Sequence, residues 1–190
     1  MFVVRMVLLG IAIFALPLNA LAASYASTDV PKSILDLSTV DSTLSVPDSV
    51  TISDVNVTLT IEHTFDGDLD IFLIAPGGGT TIELTSDNGG SGNNFTGTTF
   101  DDSAATAVTA GTAPFTGSFR PEQPLSGLNG LDSLGTWTLR ITDDEALDVG
   151  RLVSWSLEIN GTQNAPEPAT LTLLGLGIAA AGLIRRRKAN

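Results

Sequence analysis

A chain of 190 residues has room for one ordinary domain plus short targeting segments, and is too short for two comfortable cores. Between Asp29 and Glu167 all 21 acidic residues face only Lys32, Arg120, Arg140 and Arg151, a balance of −17 that repels nucleic acid and anionic lipid and resists compaction unless cations offset it. With no cysteine and one histidine, disulfides and thiol chemistry are excluded and zinc is disfavoured, which leaves calcium as the cation this composition suits outside the cytoplasm.

The N-terminus, MFVVRMVLLGIAIFALPLNALAAS, combines Arg5, an apolar stretch from Met6 to Leu18, and Ala20 and Ala22 at the A-x-A spacing read by signal peptidase. Residues 1–23 are therefore expected to be a helical signal peptide, cleaved after Ala22 or Ala23. Residues 24–43 are polar without a sustained period and read as a lead-in or linker. In TISDVNVTLTIEHTF, Val55, Val57, Leu59, Ile61, His63 and Phe65 share one face and polar residues the other, the alternation of a half-buried strand. LDIFLIAP is apolar on both faces and predicts a central strand. TTIELT, with Ile82 and Leu84, predicts a shorter partner beyond the turn residues Pro76 to Gly79.

Asp87 to Gly117 is rich in Gly, Asn and Thr and reads as surface loops crossing between sheets, of the kind that carry function or bind ions. Alternation returns in GTWTLRIT, with Trp137, Leu139 and Ile141 inward, and in LVSWSLEIN, with Val153, Trp155, Leu157 and Ile159 inward. Short strands, turn-rich spacers and no capped helical period between the apolar ends predict an all-β, jelly-roll-like β-sandwich over residues 44–161. A Pro-rich linker, 162–168, follows. Residues 169–184 are apolar and predict a short transmembrane helix, and 185–190 form a basic tail that the positive-inside rule keeps cytoplasmic.

The chemistry open to this chain is narrow. His63 is the only base for a catalytic triad, and alternation turns it into the core; no G-x-S-x-G and no thiol accompany it, so no catalytic residue is assigned and the chain is not expected to be an enzyme. The carboxylates cluster instead. Asp66, Asp68 and Asp70 stand at alternate positions in FDGDLD, Asp101 and Asp102 adjoin, and Asp143, Asp144, Glu145 and Asp148 crowd TDDEALDVG. Calcium takes six to eight oxygens, which several loops of one sandwich can supply. FDGDLD lacks the glycine and glutamate of an EF-hand loop. Asp66, Asp68, Asp101, Asp102, Asp143, Asp144 and Asp148 are the candidate ligands.

Four blocks in order, HTFDGDLDIFLIAPGGGTTIEL, GGSGNNFTGTTFDDSA, APFTGSFRPEQPLSGLNG and GTWTLRITDDEALDVGRLVSWSLEI, resemble the P domain (Homo B domain) of proprotein convertases and subtilisin-like proteases. The resemblance spans about Leu44 to Ile159. It implies a jelly-roll-like sandwich that follows and packs on a protease domain, and it places Asp68, Asp101, Asp102, Asp143 and Asp148 in the family's acidic turns. The tail, with Pro166, Glu167, Pro168, the apolar run and Arg185, Arg186, Arg187 and Lys188, resembles the PEP-CTERM sorting signal of Gram-negative bacteria. That resemblance implies processing by exosortase after signal peptidase, a membrane-held periplasmic intermediate, and delivery to the cell surface or matrix. The expected role is structural or adhesive, with exopolysaccharide as a partner and no nucleic acid; the alternative is an accessory module acting in trans on a subtilisin-like protease.

Overall fold

The structure, a computed structural model, describes residues 20–164; residues 1–19 of the signal helix expected over 1–23, the Pro166-Glu167-Pro168 motif, the apolar segment and the basic tail lie outside the described residues, and residues 20–23, expected to end that helix, are strand. Ten strands follow in chain order: β1 (Ala20–Ala26), β2 (Lys32–Ile34), β3 (Thr39–Val46), β4 (Val50–His63), β5 (Leu69–Ile74), β6 (Thr81–Ser86), β7 (Phe95–Phe100), β8 (Phe115–Phe119), β9 (Gly135–Asp143) and β10 (Gly150–Gln163). They form two sheets. One runs β1-β10-β4-β7-β8, with β2 also on β10, and the other runs β3-β9-β5-β6. All pairings are antiparallel except β7 with β8. Apart from short 3₁₀ turns there is no helix among the described residues, and none long and apolar enough to cross a membrane.

One core joins the sheets. The inward residues of β4 (Val55, Val57, Leu59, Ile61), β5 (Leu69, Ile71, Leu73) and β9 (Trp137, Leu139, Ile141) are buried, in the phase their alternation predicts. Both tryptophans satisfy their indole N–H inside: Trp137 donates to Ser133 O at 2.9 Å and Trp155 to Ser42 Oγ at 2.9 Å. Phe95 and Phe115 stack at 4.7 Å between ring centroids, closing the β7–β8 end.

Several further expectations are corrected. Residues 24–43 are not a linker: β1 and β2 pair with successive stretches of β10, and β3 pairs with β9 from Thr39 to Val46. These strands are short, rich in Ser, Thr and Ala, and half exposed at sheet edges, so their alternation is too weak to read. Asp87 to Gly117 holds β7 and β8 besides loops, because Phe95, Phe100 and Phe115 supply buried anchors in an otherwise polar stretch. In β10, Leu152 is buried and Val153 only half-buried, since a register shift between Leu152 and Ser154 inserts one residue and reverses the phase. The folded unit also extends past Gly161, with Thr162 and Gln163 still paired to β4.

Candidate functional site

The end of the sandwich where β4 stops and β5 starts gathers a cluster of carboxylates. β4 delivers His63 inward, a 3₁₀ turn at Asp66–Asp68 reverses the chain, and β9 arrives alongside with Asp143 as its last inward residue. His63 and Asp143 have fully buried side chains. His63 Nε2 lies 3.0 Å from Asp143 Oδ2, and Nδ1 lies 2.8 Å from Phe65 O and 3.3 Å from the Phe65 N–H. With the ring proton on Nε2, the imidazole donates to Asp143 while Nδ1 accepts the Phe65 N–H. The pair ties the end of β4 in one sheet to the end of β9 in the other. Gly150 is held against it: a Cβ there would collide with Glu62 O and the His63 ring.

Asp66 is also internal. Its Oδ1 accepts the Asn94 N–H at 2.7 Å, while Oδ2 is buried without a partner, and burial pushes the carboxyl up to about 6. Asp66 therefore braces the start of β7.

Beside this buried group lies an open hollow of about 500 Å³ walled by Asp68, Asp87, Asp144, Glu145 and Asp148. They come from three separate segments: the 3₁₀ turn, the end of β6, and the β9–β10 connection. Desolvation, then repulsion from Asp143 and Asp148, raises the Asp68 carboxyl; desolvation, then repulsion from Asp144 and Asp70, raises that of Asp87. No cationic side chain lines the hollow. Asp148 Oδ1 accepts from Thr64 Oγ1 at 2.6 Å, and Asp143 Oδ1 and Asp70 Oδ1 are buried oxygens with no hydrogen-bond partner. An all-oxygen, unneutralised donor set fits a hard divalent cation. Among the described residues no three of these groups converge closely enough to cage an ion as they stand.

Asp68, Asp143, Asp144 and Asp148 thus meet at one end, with Asp143 held by His63. Asp101 and Asp102 do not join them. They follow β7, whose length sets them roughly 20 Å from its start near Asp66. Asp102 Oδ1 and Oδ2 accept the Leu125 and Ser126 N–H groups at 2.8 Å each, capping a 3₁₀ turn, and Asp101 Oδ1 accepts the Ser103 N–H. Asp87 belongs to the hollow although nothing in its local sequence marks it; only the pairing of β5 with β6 brings it there.

The adjoining loop tips are apolar. Leu147 is 91 % exposed at φ 93° and Leu37 is 62 % exposed at φ 51°, both in the left-handed region that leucine rarely adopts. The Leu147 N–H donates to Asp36 Oδ1 at 2.8 Å, joining the two loops.

The family model for the proprotein convertase P-domain matches residues 52–159, and that for the PEP-CTERM protein-sorting motif matches residues 164–188. Calcium-dependent proteases of Nostoc sp. and Trichormus variabilis are 31% and 30% identical over 135 residues, covering 70% of this chain and 18% of theirs. The chain therefore spans less than a fifth of the length of these curated relatives. Among solved structures, the serine protease of Aeromonas sobria in complex with a chaperone is 22% identical, with a TM-score of 0.49 over 78% of this chain and 28% of that one.

Proposed function

From the premise that this chain belongs to the proprotein convertase P-domain family, we propose that it is an exported, non-catalytic module, stabilised by calcium at its acidic end and sorted through its C-terminal motif to the cell envelope or extracellular matrix for a structural or adhesive role. The observation that carries the reading is the hollow of five carboxylates from three segments with no cation among its walls. Asp68, Asp144 and Asp148, with Asp87 and Glu145, would hold the ion, which would supply neutralising charge between loops. The name of the Nostoc and Trichormus relatives, calcium-dependent protease, points the same way. The strand order β1-β10-β4-β7 over β3-β9-β5-β6 supports the jelly-roll reading.

The non-catalytic part of the proposal rests on His63. A triad base must face a nucleophile at an open surface, whereas this imidazole is fully buried and engaged by the Phe65 backbone and Asp143. The alternative, docking in trans on a subtilisin-like protease, is favoured by the exposed Leu37 and Leu147, whose strained backbone would be compensated by a partner. The export reading takes signal peptidase and exosortase as processing enzymes, with exopolysaccharide as the matrix partner. It is tested by intact-mass measurement of the protein recovered from the extracellular fraction of a Gram-negative host with its exosortase. An N-terminus near Ala23 and a C-terminus near Pro166-Glu167-Pro168 are expected; extracellular protein ending at Asn190 contradicts it.

A further inference from the structure

The outer edges of the two sheets are not treated alike. Along β6, Gln123 Oε1 accepts the Glu83 N–H at 3.2 Å, Glu122 Oε1 accepts the Ser86 N–H at 2.9 Å, and the Glu122 and Gln123 N–H groups donate to Leu84 O and Glu83 O. Along β3, Asp29 Oδ2 accepts the Thr43 N–H, Ser27 Oγ donates to Thr43 O, and Lys32 Nζ donates to Asp41 O. Beyond β8, Arg120 exchanges backbone hydrogen bonds with Thr106 and Val108, and Gly117 breaks the strand at φ 91°. These are the usual protections of an exposed strand edge.

β1 shows none of them among the described residues. Among the described residues no side chain or loop bonds to its outer backbone groups; its register with Ser156–Thr162 is continuous; and ALAASYA contains no charge and no proline. Its exposed residues, Ala20, Ala22, Ser24 and Ala26, are small enough for another strand to lie alongside.

We propose that the free edge of β1 is a self-association site, where a second copy of this chain pairs its own β1 antiparallel across a two-fold axis and continues the six-stranded sheet from one copy into the next. Unpaired N–H and C=O groups call for a strand, and charge selects which one. The chain carries a net charge of −12, so copies repel over most of their surface, and β3 and β6 would set Asp41 or Glu83 near its counterpart. β1 opposes only neutral residues to their own copies. A cut after Ala22 leaves Ala23–Ala26 in β1 and bares Asn160–Thr162 of β10, so the edge stays open in the processed form. This inference stands apart from the calcium reading.

The absence of cysteine makes the test direct. Single cysteines are placed at Ala23, Ser24, Tyr25 and Ala26 of the full chain, exported to an oxidising periplasm, and compared with Thr116→Cys on β8. Disulfide-linked dimer is expected to peak at one β1 position, several-fold above Thr116→Cys, and to fall when Ala26→Lys sets like charges across the axis. Equal cross-linking at Thr116→Cys, or no dimer from any β1 position, overturns the proposal. Sedimentation of the unsubstituted chain in detergent gives a second reading: a dimer supports it, and a monomer at all concentrations overturns it.

Discussion

Replacing His63 with alanine strips the fully buried Asp143 carboxylate of its one side-chain partner, since Oδ2 bonds to His63 and Oδ1 bonds to nothing. Breaking a buried pair from one side costs about 3–5 kcal/mol, because the remaining group stays desolvated without compensation. With a urea dependence of about 2 kcal/mol per molar for a domain of this size, the denaturation midpoint of residues 20–164 should fall by roughly 1.5–2.5 M. Asp143→Leu alone leaves the imidazole unpaired and should cost a similar amount. His63→Ala combined with Asp143→Leu removes both polar groups and should cost clearly less than the two single changes added together. Equilibrium urea titrations followed by tryptophan fluorescence report all four proteins. A midpoint shift below about 0.5 M for His63→Ala, or strict additivity in the double variant, would refute the pair as a clamp between the sheets.

Other outcomes follow from the same geometry. Leu152→Ala should cost about 2–5 kcal/mol whereas Val153→Asp should cost under about 1 kcal/mol, and the reverse order in denaturant midpoints would place the β10 bulge elsewhere. Trp137→Ala should cost about 3–5 kcal/mol, read the same way. Asp66 holds its proton more tightly folded, up to about 6, than unfolded, near 4, so its contribution to stability is complete below pH ~4 and is lost as pH rises through about 6. Asp68, Glu83 and Asp87 are raised and act in the same sense, while Asp29 and Asp41, held down by hydrogen bonds from Lys32 and Arg140, act in the opposite one. Asp66→Asn should flatten stability between pH 4 and 6 in metal-free buffer; an unchanged slope would place that titration on other groups.

Alternation was a reliable guide where a strand runs without interruption between a polar and an apolar face, as in β4 and β9. It also placed His63 inward, at the end of 55, 57, 59 and 61, whereas Asp143, read only as a ligand in an acidic turn, proved to be the next inward residue after Trp137, Leu139 and Ile141. Their pairing was not legible, because 80 residues separate them and only the sheet-to-sheet packing joins them. Local reading failed at β1 to β3, where edge strands bury too little to need large apolar residues, and at the Leu152 bulge, where one inserted residue inverts a strand. Acidic neighbours in sequence were an uneven guide to the hollow. Asp144, Glu145 and Asp148 share a loop that reaches it, whereas Asp101 and Asp102 adjoin each other yet serve as local acceptors for turns.

The account turns on cation binding at the acidic end, and a melting experiment on residues 20–164 tests it most directly. At calcium about 100-fold above its dissociation constant, binding to the folded state alone adds about 2.7 kcal/mol, a rise in melting temperature of roughly 5–10 °C over protein in EDTA. Asp144→Asn with Asp148→Asn should abolish that difference. The same melting temperature with calcium and with EDTA, or a calcium-dependent rise that survives both substitutions, would contradict the claim.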